Sequence, residues 1–337
     1  MNLGDFDYHL PEELIAQRPI EPRDASRLLH LDRRTGAVSH RSFRDCLEIL
    51  QPGDLLVMND TMVSAVRIFG RRPTGARVEA LVHREVEGTD EVEALTRPAK
   101  KLRPGETIEF EGGLAGEVTA DLGEGRKRLR LSASRPWRQV LQEIGQAPLP
   151  GYIHEPLADR GRYQTVYAEN PGSSAAPTAG LHFTADLLAR LAEKGVETAR
   201  VTLDVSTDTF RPITAENPAD HRMHGETCRL PVETAEAVAR CRGRVIAVGT
   251  TAVRTLESFA VGPRLLEPGE QLSRLYIRPG FEYRIVDGMF TNFHMPRTTM
   301  LLMLSALAGR ENVMEAYRQA VEERYRFLSF GDSMLIL

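Results

Sequence analysis

Residues 244–258 read RVIAVGTTAVRTLES, and this stretch decides the fold class. Its first half is a short apolar run typical of a buried strand, and its second half, from Thr250 on, has the spacing of a helix. Strands that lead directly into helices are the repeating unit of α/β proteins. The turn at 249–251 lies at the carboxyl end of the predicted strand, where α/β proteins commonly bind ligands.

The segments around this stretch continue the alternation of strands and helices. Thr184 is a suitable N-cap for a helix, and Gly195 ends that helix. Together with helix-like and strand-like stretches in residues 1–58, the pattern predicts an α/β body with a mainly parallel sheet. The further elements of this body are a strand at 196–205 and helices at 185–194, 232–243, 298–308 and 311–325.

Residues 61–148 have a different sequence pattern, which is typical of β-strands. Short segments there alternate apolar and polar residues between Gly-rich turns, for example VEALVH at 78–83 and VEALT at 92–96. Several short strands so close together predict a small barrel or sandwich. We therefore expect a discontinuous α/β body of residues 1–60 and 149–337, into which residues 61–148 are inserted as a small barrel or sandwich.

The charge balance excludes a general nucleic-acid-binding coat. The 337 residues carry 43 Lys and Arg against 47 Asp and Glu, for a net charge of -4. A local basic patch is still compatible with this balance, because phosphate binding needs clustered charge rather than net charge. Such clusters occur in the β-rich part, where an ordinary solvated turn is the alternative interpretation. They are formed by Arg97, Lys100, Lys101 and Arg103 and by the run 126–128.

The cysteines and the N-terminus predict a cytosolic protein. The three cysteines, Cys46, Cys228 and Cys241, are odd in number and lack metal-binding spacing, which favours reduced thiols. Residues 1–14 contain no apolar signal core. The longest apolar run, at 300–308, is too short to cross a bilayer, so we expect no membrane contact.

The small-residue stretch GSSAAPTAGLHFT at 172–184 is a candidate ligand site. Glycine, alanine and serine leave room for a ligand to approach the backbone. The stretch also ends at a predicted helix N-terminus, where free N–H groups favour anions. His182 lies beside that terminus and could exchange protons near neutral pH. A tight structural loop with His182 as a packing residue is the alternative.

Two further stretches could also line a pocket. At 249–251, backbone N–H groups and the hydroxyls of Thr250 and Thr251 could hold a carboxylate or phosphate, with Arg254 one turn on. The alternative is a capped strand-to-helix turn. In DGMFTNFHMP at 287–296, Asn292 and His294 precede an apolar helix, although a structural cap and a satisfied histidine explain them equally well.

Two dense polar stretches could take part in acid–base chemistry or substrate binding. HRMHGE at 221–226 contains His221, His224 and Glu226, but its spacing does not match the common zinc motifs. An exposed polar loop is the alternative there. RPIEPRDASRLL at 18–29 places several arginines around Asp24, either as a salt-bridged loop or as a cluster that orients a ligand.

Seven sequence blocks together resemble one family, the S-adenosylmethionine:tRNA ribosyltransferase-isomerases of queuosine biosynthesis. The blocks follow the family's order from residue 6 almost to the end of the chain, and AAPTAGLHFT and VGTT-VRTLES are highly specific. They are FDYHLPEELIAQRPIEPRDASRLL (6–29), DLLVMNDT (54–61), YQTVYAENPGSSAAPTAGLHFT (163–184), HRMHGE (221–226), RVIAVGTTAVRTLES (244–258), TNFHMPRTTMLLMLSALAG (291–309) and YRFLSFGDSMLIL (325–337).

The resemblance implies both a fold and a reaction. The fold is an α/β barrel-like main body with an inserted small β-barrel. The ribosyl part of S-adenosylmethionine is transferred to 7-aminomethyl-7-deazaguanine in the tRNA anticodon and isomerised, giving epoxyqueuosine, adenine and methionine. S-adenosylmethionine is a co-substrate whose sulfonium carries its own activation, so we expect neither a prosthetic group nor a metal. We also expect a monomer.

The same resemblance assigns roles to the candidate residues. A base must remove a proton beside the sulfonium, and an acid can assist the departing adenine. The acid–base candidates are His182, His224, Glu226 and His294. The methionyl carboxylate suits 249–251 with Arg254, and Asp24 or Asp332 could bind the amino group or the ribose hydroxyls. The full set of expected substrate-binding residues is Arg23, Asp24, Arg27, Ala176, Pro177, Thr178, Gly180, His221, Gly249, Thr250, Thr251, Arg254, Asn292 and Asp332.

One loop departs from the family pattern. Where the family commonly has a TLHVGxGTF-like stretch, this chain replaces a histidine by Asp204 and two glycines by Ser206 and Asp208. Added acids beside a pocket repel a carboxylate or phosphate. This departure keeps two other interpretations open, namely a diverged relative that catalyses another reaction and a catalytically silent tRNA-binding protein.

Overall fold

The computed structural model describes residues 2–205, 218, 221, 223 and 225–337. The α-helices in this part of the chain are α1 Cys46–Ile49, α2 Trp137–Ile144, α3 Ala185–Glu193, α4 Val232–Arg240, α5 Thr250–Ser258, α6 Thr299–Ala308 and α7 Arg310–Glu322. Short 3-10 helices cover Leu3–Phe6, Glu12–Leu14, Arg23–Ala25, Phe43–Asp45, Ala99–Lys101, Glu111–Gly113, Arg160–Tyr163 and Thr178–His182.

The β-strands form one large sheet, one barrel and two short pairs. In chain order they are β1 Arg27–Leu31, β2 Val38–Ser42, β3 Leu55–Asn59, β4 Thr61–Val63, β5 Val66–Arg71, β6 Arg77–Glu85, β7 Glu91–Arg97, β8 Thr107–Phe110, β9 Ala115–Gly123, β10 Arg126–Ser132, β11 Asn170–Ser173, β12 Glu197–Leu203, β13 Glu226–Leu230, β14 Val245–Val248, β15 Ala260–Gly262, β16 Leu265–Leu266, β17 Gly269–Ser273, β18 Gly288–Asn292 and β19 Ser333–Ile336.

The large sheet has nine strands in the order β17-β13-β12-β3-β14-β18-β19-β1-β2. Its centre, β12-β3-β14-β18, is parallel throughout. β19 runs parallel to β1, and the remaining neighbours are antiparallel. The predicted α/β class is confirmed, but the sheet is mixed rather than mainly parallel. β18 and β19, which pair antiparallel with each other, are short and follow irregular segments, so the alternation pattern did not reveal them.

Helices cover both faces of the parallel centre. Side chains of β3 alternate between two apolar clusters, since Leu55 and Val57 pack on one face while Leu56 and Met58 pack on the other. Residues of α3 fill the cluster around Leu56, and residues of α4, α5, α6 and α7 fill the cluster around Val57. This double coverage explains why the central strands are continuous apolar runs.

Local signals set the ends of the helices that matter for the site. The Thr184 hydroxyl accepts a hydrogen bond of 3.1 Å from the Leu187 N–H and caps α3, as predicted. Gly195, just past the end of α3, has a φ of +89°, a conformation that favours glycine. Gly249, between β14 and α5, has a φ of +90° and allows the sharp strand-to-helix turn.

Strands β5 to β10 close into a six-stranded antiparallel barrel in the order β10-β7-β6-β5-β8-β9. Ile68, Val82 and Leu129 are among the residues that fill its interior, and α2 packs against the same cluster. Arg67 and Gln146 exchange two backbone hydrogen bonds of 3.0 and 2.8 Å, so the chain enters and leaves the barrel region at one point. The predicted small β-barrel is confirmed, whereas its domain boundaries at 60/61 and 148/149 stay a prediction.

Within the described residues, no helix combines the length and apolar character needed to span a bilayer.

Candidate active site

A cavity of about 200 Å³ lies at the carboxyl ends of β14 and β18. These strands are parallel neighbours in which Val248 pairs with Phe290, and the Gly249 N–H donates a 2.8 Å hydrogen bond to the Phe290 carbonyl. The residues that follow both strands therefore meet at one edge of the sheet. This is the position at which α/β folds place ligands.

Three of the sequence stretches singled out above converge on this cavity. They contribute Ala176, Pro177, Thr178, Gly249, Thr250, Thr251, Asn292 and His294, all expected in a site. Sequence reasoning missed the other lining residues, which are Tyr152, Ala179, Val205, Thr291, Phe293, Met295, Pro296, Thr298, Met300, Leu328 and Ser329. Tyr152 and Ser329 come from separate parts of the chain and meet through their hydroxyls at 2.6 Å, a contact that no local pattern signals.

Two residues that line the cavity each carry a buried polar side-chain atom without a hydrogen-bond partner within the described residues. These atoms are Thr251 Oγ1, in the first turn of α5, and Asn292 Oδ1, at the end of β18. Both residues are more than nine-tenths buried, with exposed fractions of 8% and 3%. Buried polar atoms are rarely left unpaired in folded proteins, so this pair is suited to hydrogen bonding with a ligand.

His294 lines the cavity in a neutral state. Its Nε2 lies 2.7 Å from Thr291 Oγ1, and its backbone N–H donates a 3.0 Å hydrogen bond to the Tyr317 hydroxyl. The Tyr8 hydroxyl donates to its carbonyl. Burial lowers the pKa of His294 to about 3, so the imidazole is unprotonated at pH 7.

His182 lies behind the cavity wall rather than on it. It lines a separate space of about 20 Å³ with Arg23 and Arg162, and Ser329 separates this space from the main cavity because it lines both. The His182 ring stacks on Phe43 with centroids 5.0 Å apart. Burial, reinforced by nearby arginines, lowers the pKa of His182 to about 3.

Glu226 and Arg254 bind each other. Glu226, at the start of β13, and Arg254, in α5, form a buried ion pair, and Arg254 also donates a 3.4 Å hydrogen bond to the Ser273 carbonyl. Neither side chain belongs to the cavity lining. Because Glu226 already neutralises the guanidinium, Arg254 is less suited to bind a substrate carboxylate than the sequence suggested.

His221 stacks edge-on against Tyr276, with ring centroids 5.7 Å apart. It lies outside the cavity lining. His224 lies outside the described residues, as do Ser206 and Asp208.

The predicted N-terminal cluster and Asp332 also lie outside the cavity lining. Arg23 donates to the carbonyls of Gln164 and Gly161 at 2.7 and 2.9 Å, and Asp24 pairs with Arg44 at 3.3 Å. The Arg27 guanidinium lies 3.7 Å from the centre of the Tyr325 ring. These contacts connect the segment 23–27 to other segments of the α/β body.

Asp332 and Gly180 both make close contacts within the protein, and their expected roles in substrate binding stay predictions. The Asp332 carboxylate accepts two backbone hydrogen bonds of 2.8 Å, from the N–H groups of Arg27 and Arg326. A Cβ atom at Gly180 would lie 2.0 Å from the Tyr167 hydroxyl oxygen, so the close approach that requires glycine there comes from a protein side chain.

Comparison with known proteins decides the family of the chain. The model of a family described as queuosine biosynthesis protein matches residues 3–336. The chain belongs to the queuosine biosynthesis protein family.

Members of this family from three bacteria match the chain over its whole length. Each is named S-adenosylmethionine:tRNA ribosyltransferase-isomerase, and each alignment of 342 residues covers 100% of both chains. The identities are 50% for Symbiobacterium thermophilum, 47% for Desulfitobacterium hafniense and 46% for Desulforamulus reducens. The crystal structure of an S-adenosylmethionine tRNA ribosyltransferase from Thermotoga maritima is 37% identical, with a TM-score of 0.55, and the match covers 99% of this chain and 100% of that chain.

Asp204, at which the chain departs from the queuosine biosynthesis family pattern, contacts Thr61 and Gly172. Asp204 follows β12 and accepts a 3.2 Å hydrogen bond from the Thr61 hydroxyl. A Cβ atom at Gly172 would lie 2.9 Å from Asp204 Oδ1, so the two residues are in close contact. Burial raises the pKa of Asp204. Asp204 does not line the cavity, although the next residue, Val205, does.

The four cationic residues predicted to contact tRNA are exposed on the barrel of this queuosine biosynthesis protein. Arg97 ends β7, Lys100 and Lys101 lie in the following 3-10 helix, and Arg103 comes two residues later. Arg97 and Lys100 line an open cleft of about 510 Å³. Among the described residues, no ion pair neutralises any of the four.

No group of three or more His, Cys, Asp or Glu side chains suited to a metal ion occurs in the described part of this queuosine biosynthesis protein.

Proposed function

We propose that the protein is an S-adenosylmethionine:tRNA ribosyltransferase-isomerase. It transfers the ribosyl group of S-adenosylmethionine to 7-aminomethyl-7-deazaguanine at the tRNA wobble position and isomerises it, which gives epoxyqueuosine and releases adenine and methionine. The observation that carries this proposal is the identity of 46–50% over the full length of three relatives with that name. The cavity adds support, because four of the family's sequence blocks line it.

The cavity is the proposed S-adenosylmethionine site. The first turn of α5 offers unpaired backbone N–H groups and the positive end of the helix dipole to the methionyl carboxylate. The hydroxyls of Thr250 and Thr251 lie at the same place. Arg254 supports this turn from behind through its pairing with Glu226, instead of contacting the carboxylate itself.

His294 is the proposed general base. The reaction removes a proton from the carbon beside the sulfonium, and a base must lie next to that carbon. Of the four acid–base candidates, His294 is the one that the described cavity lining includes. Its imidazole is unprotonated at pH 7, so one of its ring nitrogens carries a free lone pair. Glu226 is engaged by Arg254, and His224 stays a candidate from sequence alone.

The barrel is the proposed tRNA contact. Arg97, Lys100, Lys101 and Arg103 place four positive charges within seven residues of an exposed segment, which suits a phosphate backbone. We further propose that the protein acts in the cytoplasm as a monomer. S-adenosylmethionine is a co-substrate, and its sulfonium activates the adjacent carbon without a prosthetic group.

A single reaction tests the proposed activity. The protein is incubated with S-adenosylmethionine and tRNA bearing 7-aminomethyl-7-deazaguanine, and released adenine and the modified nucleoside are measured by chromatography. We expect both products in equal amounts. Absence of adenine would exclude the proposed activity.

The same experiment tests the alternatives raised by Asp204. Adenine without epoxyqueuosine would indicate a diverged enzyme that catalyses another reaction. Tight tRNA binding without adenine release would indicate a tRNA-binding protein. Unmodified tRNA serves as the control for acceptor-independent cleavage of S-adenosylmethionine.

A further inference from the structure

A chain of three side chains connects the buried start of β1 to the cavity wall. Ser26 Oγ lies 2.7 Å from His182 Nδ1, and His182 Nε2 lies 3.1 Å from the side-chain nitrogen of Asn292. Ser26 is fully buried and His182 is 5% exposed. Only the last member, Asn292, lines the cavity.

Hydrogen-bond directions in this chain follow from the neutral state of His182. A neutral imidazole has one nitrogen that donates and one that accepts. The Asn292 Nδ2 group only donates, so His182 Nε2 accepts from it, and the Nδ1–H group donates to Ser26 Oγ. With Asn292 Nδ2 facing His182, Asn292 Oδ1 is the polar atom that remains for a ligand.

The imidazole is held on its face as well as at its edges. Phe43 stacks on the ring at an interplanar angle of 26°, and the Phe43 N–H donates a 2.8 Å hydrogen bond to the Ser26 carbonyl. Ser26 and Phe43 are therefore tied to each other as well as to His182. Such a support restricts the ring to one position and orientation, which is what a precise binding group needs.

We propose that Ser26 and His182 are positioning residues that fix the Asn292 amide, so that Asn292 Oδ1 accepts a hydrogen bond from an N–H or O–H donor of S-adenosylmethionine. This inference rests on the proposed function. The donor is either the methionyl ammonium or a ribose hydroxyl, since both can donate to an amide oxygen. His182 then contributes through Asn292 rather than by exchanging a proton with the substrate.

The test combines binding and turnover in the full chain. The dissociation constant for S-adenosylmethionine is measured by calorimetry without tRNA, and kcat and KM are measured with modified tRNA. We expect Ser26→Ala to raise the dissociation constant and KM about 3- to 10-fold, as for one lost hydrogen bond, with kcat nearly unchanged. Asn292→Ala should raise them roughly 10- to 100-fold.

A double-variant cycle separates positioning from a general structural effect. If Ser26 acts through Asn292, Ser26→Ala has no further effect on binding once Asn292 is alanine. Additive effects would overturn the proposal. Ser305→Ala is the matched control, because Ser305 Oγ is buried without a partner in α6, outside the cavity lining. Equal effects of Ser26→Ala and Ser305→Ala would also overturn it.

His182→Gln provides a second route if Ser26→Ala does not fold. The glutamine amide oxygen can accept the Asn292 hydrogen bond in place of Nε2. We expect His182→Gln to keep kcat near that of the original chain, with binding weakened less than in His182→Ala. A kcat lowered as much by glutamine as by alanine would identify His182 as a proton-transfer residue and overturn the proposal.

Binding of two fragments of S-adenosylmethionine, L-methionine and adenosine, identifies the donor. Adenine release by the original chain distinguishes a failure of this inference from a failure of the proposed function. If Asn292→Ala weakens binding of L-methionine alone, the donor is the ammonium, and if it weakens binding of adenosine alone, the donor is a ribose hydroxyl. If it weakens neither fragment nor S-adenosylmethionine, the inference fails. Absence of adenine release by the original chain is a failure of the proposed function instead.

Discussion

Glu226 and Arg254 form a buried ion pair that joins strand β13 to helix α5, with side-chain exposures of 3% and 6%. The pair anchors the helix whose first turn forms part of the cavity. Two residues that the sequence suggested as separate functional groups therefore satisfy each other. The ion pair links the start of β13 to the helix that follows the strand-to-helix turn.

We predict that Glu226→Gln destabilises the fold strongly. Removing one member of a buried ion pair leaves the other charge uncompensated, which typically costs about 3–5 kcal/mol of unfolding free energy. Urea unfolding measures the loss. The control is Glu270→Gln, which removes the partner of Arg229 in an exposed pair between β13 and β17 and should change little. Equal losses in both variants would contradict the prediction.

We predict that His294→Gln lowers turnover by about 10²- to 10⁴-fold, the usual contribution of a general base. Binding of S-adenosylmethionine should change much less, since glutamine retains a polar side chain of similar size. Single-turnover adenine release and calorimetry measure the two quantities. Turnover within a few fold of the original chain would remove His294 from the mechanism.

The unfolding free energy should fall as the pH drops below about 6.5. His182 and His294 have folded-state pKa values of about 3 against an ordinary value of 6.5, so the unfolded chain takes up protons first. Each histidine then lowers the unfolding free energy by up to about 1.4 kcal/mol per pH unit between pH 6.5 and 3. Denaturant unfolding across this range should show a shallower slope for His294→Gln than for the original chain, and equal slopes would contradict the prediction.

We predict that Asp204→Asn stabilises the fold at pH 7. Burial raises the pKa of Asp204, so the unfolded chain loses this proton more readily, and the carboxylate lowers stability above its ordinary pKa of 3.8. Asparagine removes that effect and can still accept from Thr61. The gain in melting temperature should shrink towards zero as the pH falls below 3.8, and a gain that is independent of pH would contradict the electrostatic cause.

Replacing Arg97, Lys100 and Arg103 by glutamine should weaken tRNA binding and reduce its dependence on salt. Each lost phosphate contact lowers the slope of log affinity against log salt by roughly one unit. The matched control replaces Arg130, Arg135 and Arg138, which are barrel-region arginines engaged by glutamates, with the same change in charge. Equal weakening by both triple variants would show a general charge effect and exclude a specific contact.

The sequence predicted the features that depend on neighbouring residues. The Thr184 cap and the turn at Gly249 each follow from a local pattern. The short strands of 61–148 fitted a barrel or a sandwich, and the family resemblance pointed to the barrel. The cavity brings together 176–179, 249–251 and 291–296, and the spacing of these stretches along the chain gives no sign that they converge.

Contacts between residues that are far apart in the sequence could not be predicted from it. Glu226 meets Arg254 across 28 positions, and Ser26 meets His182 across 156. The backbone groups that Asp332 binds depend on how β1 and β19 pair as parallel neighbours. A single chain offers no pattern for such pairings, because they are set by the packing of the whole sheet.

The paired backbone of Arg67 and Gln146 has an evolutionary consequence. These two residues hold the entry and exit of the barrel region side by side, and no barrel strand contributes to the described cavity lining. If a hairpin between Arg67 and Gln146 is lengthened or replaced, the two backbone segments that connect the barrel to the body keep their positions. Natural variation can therefore reshape the barrel while the residues that line the cavity stay under separate selection.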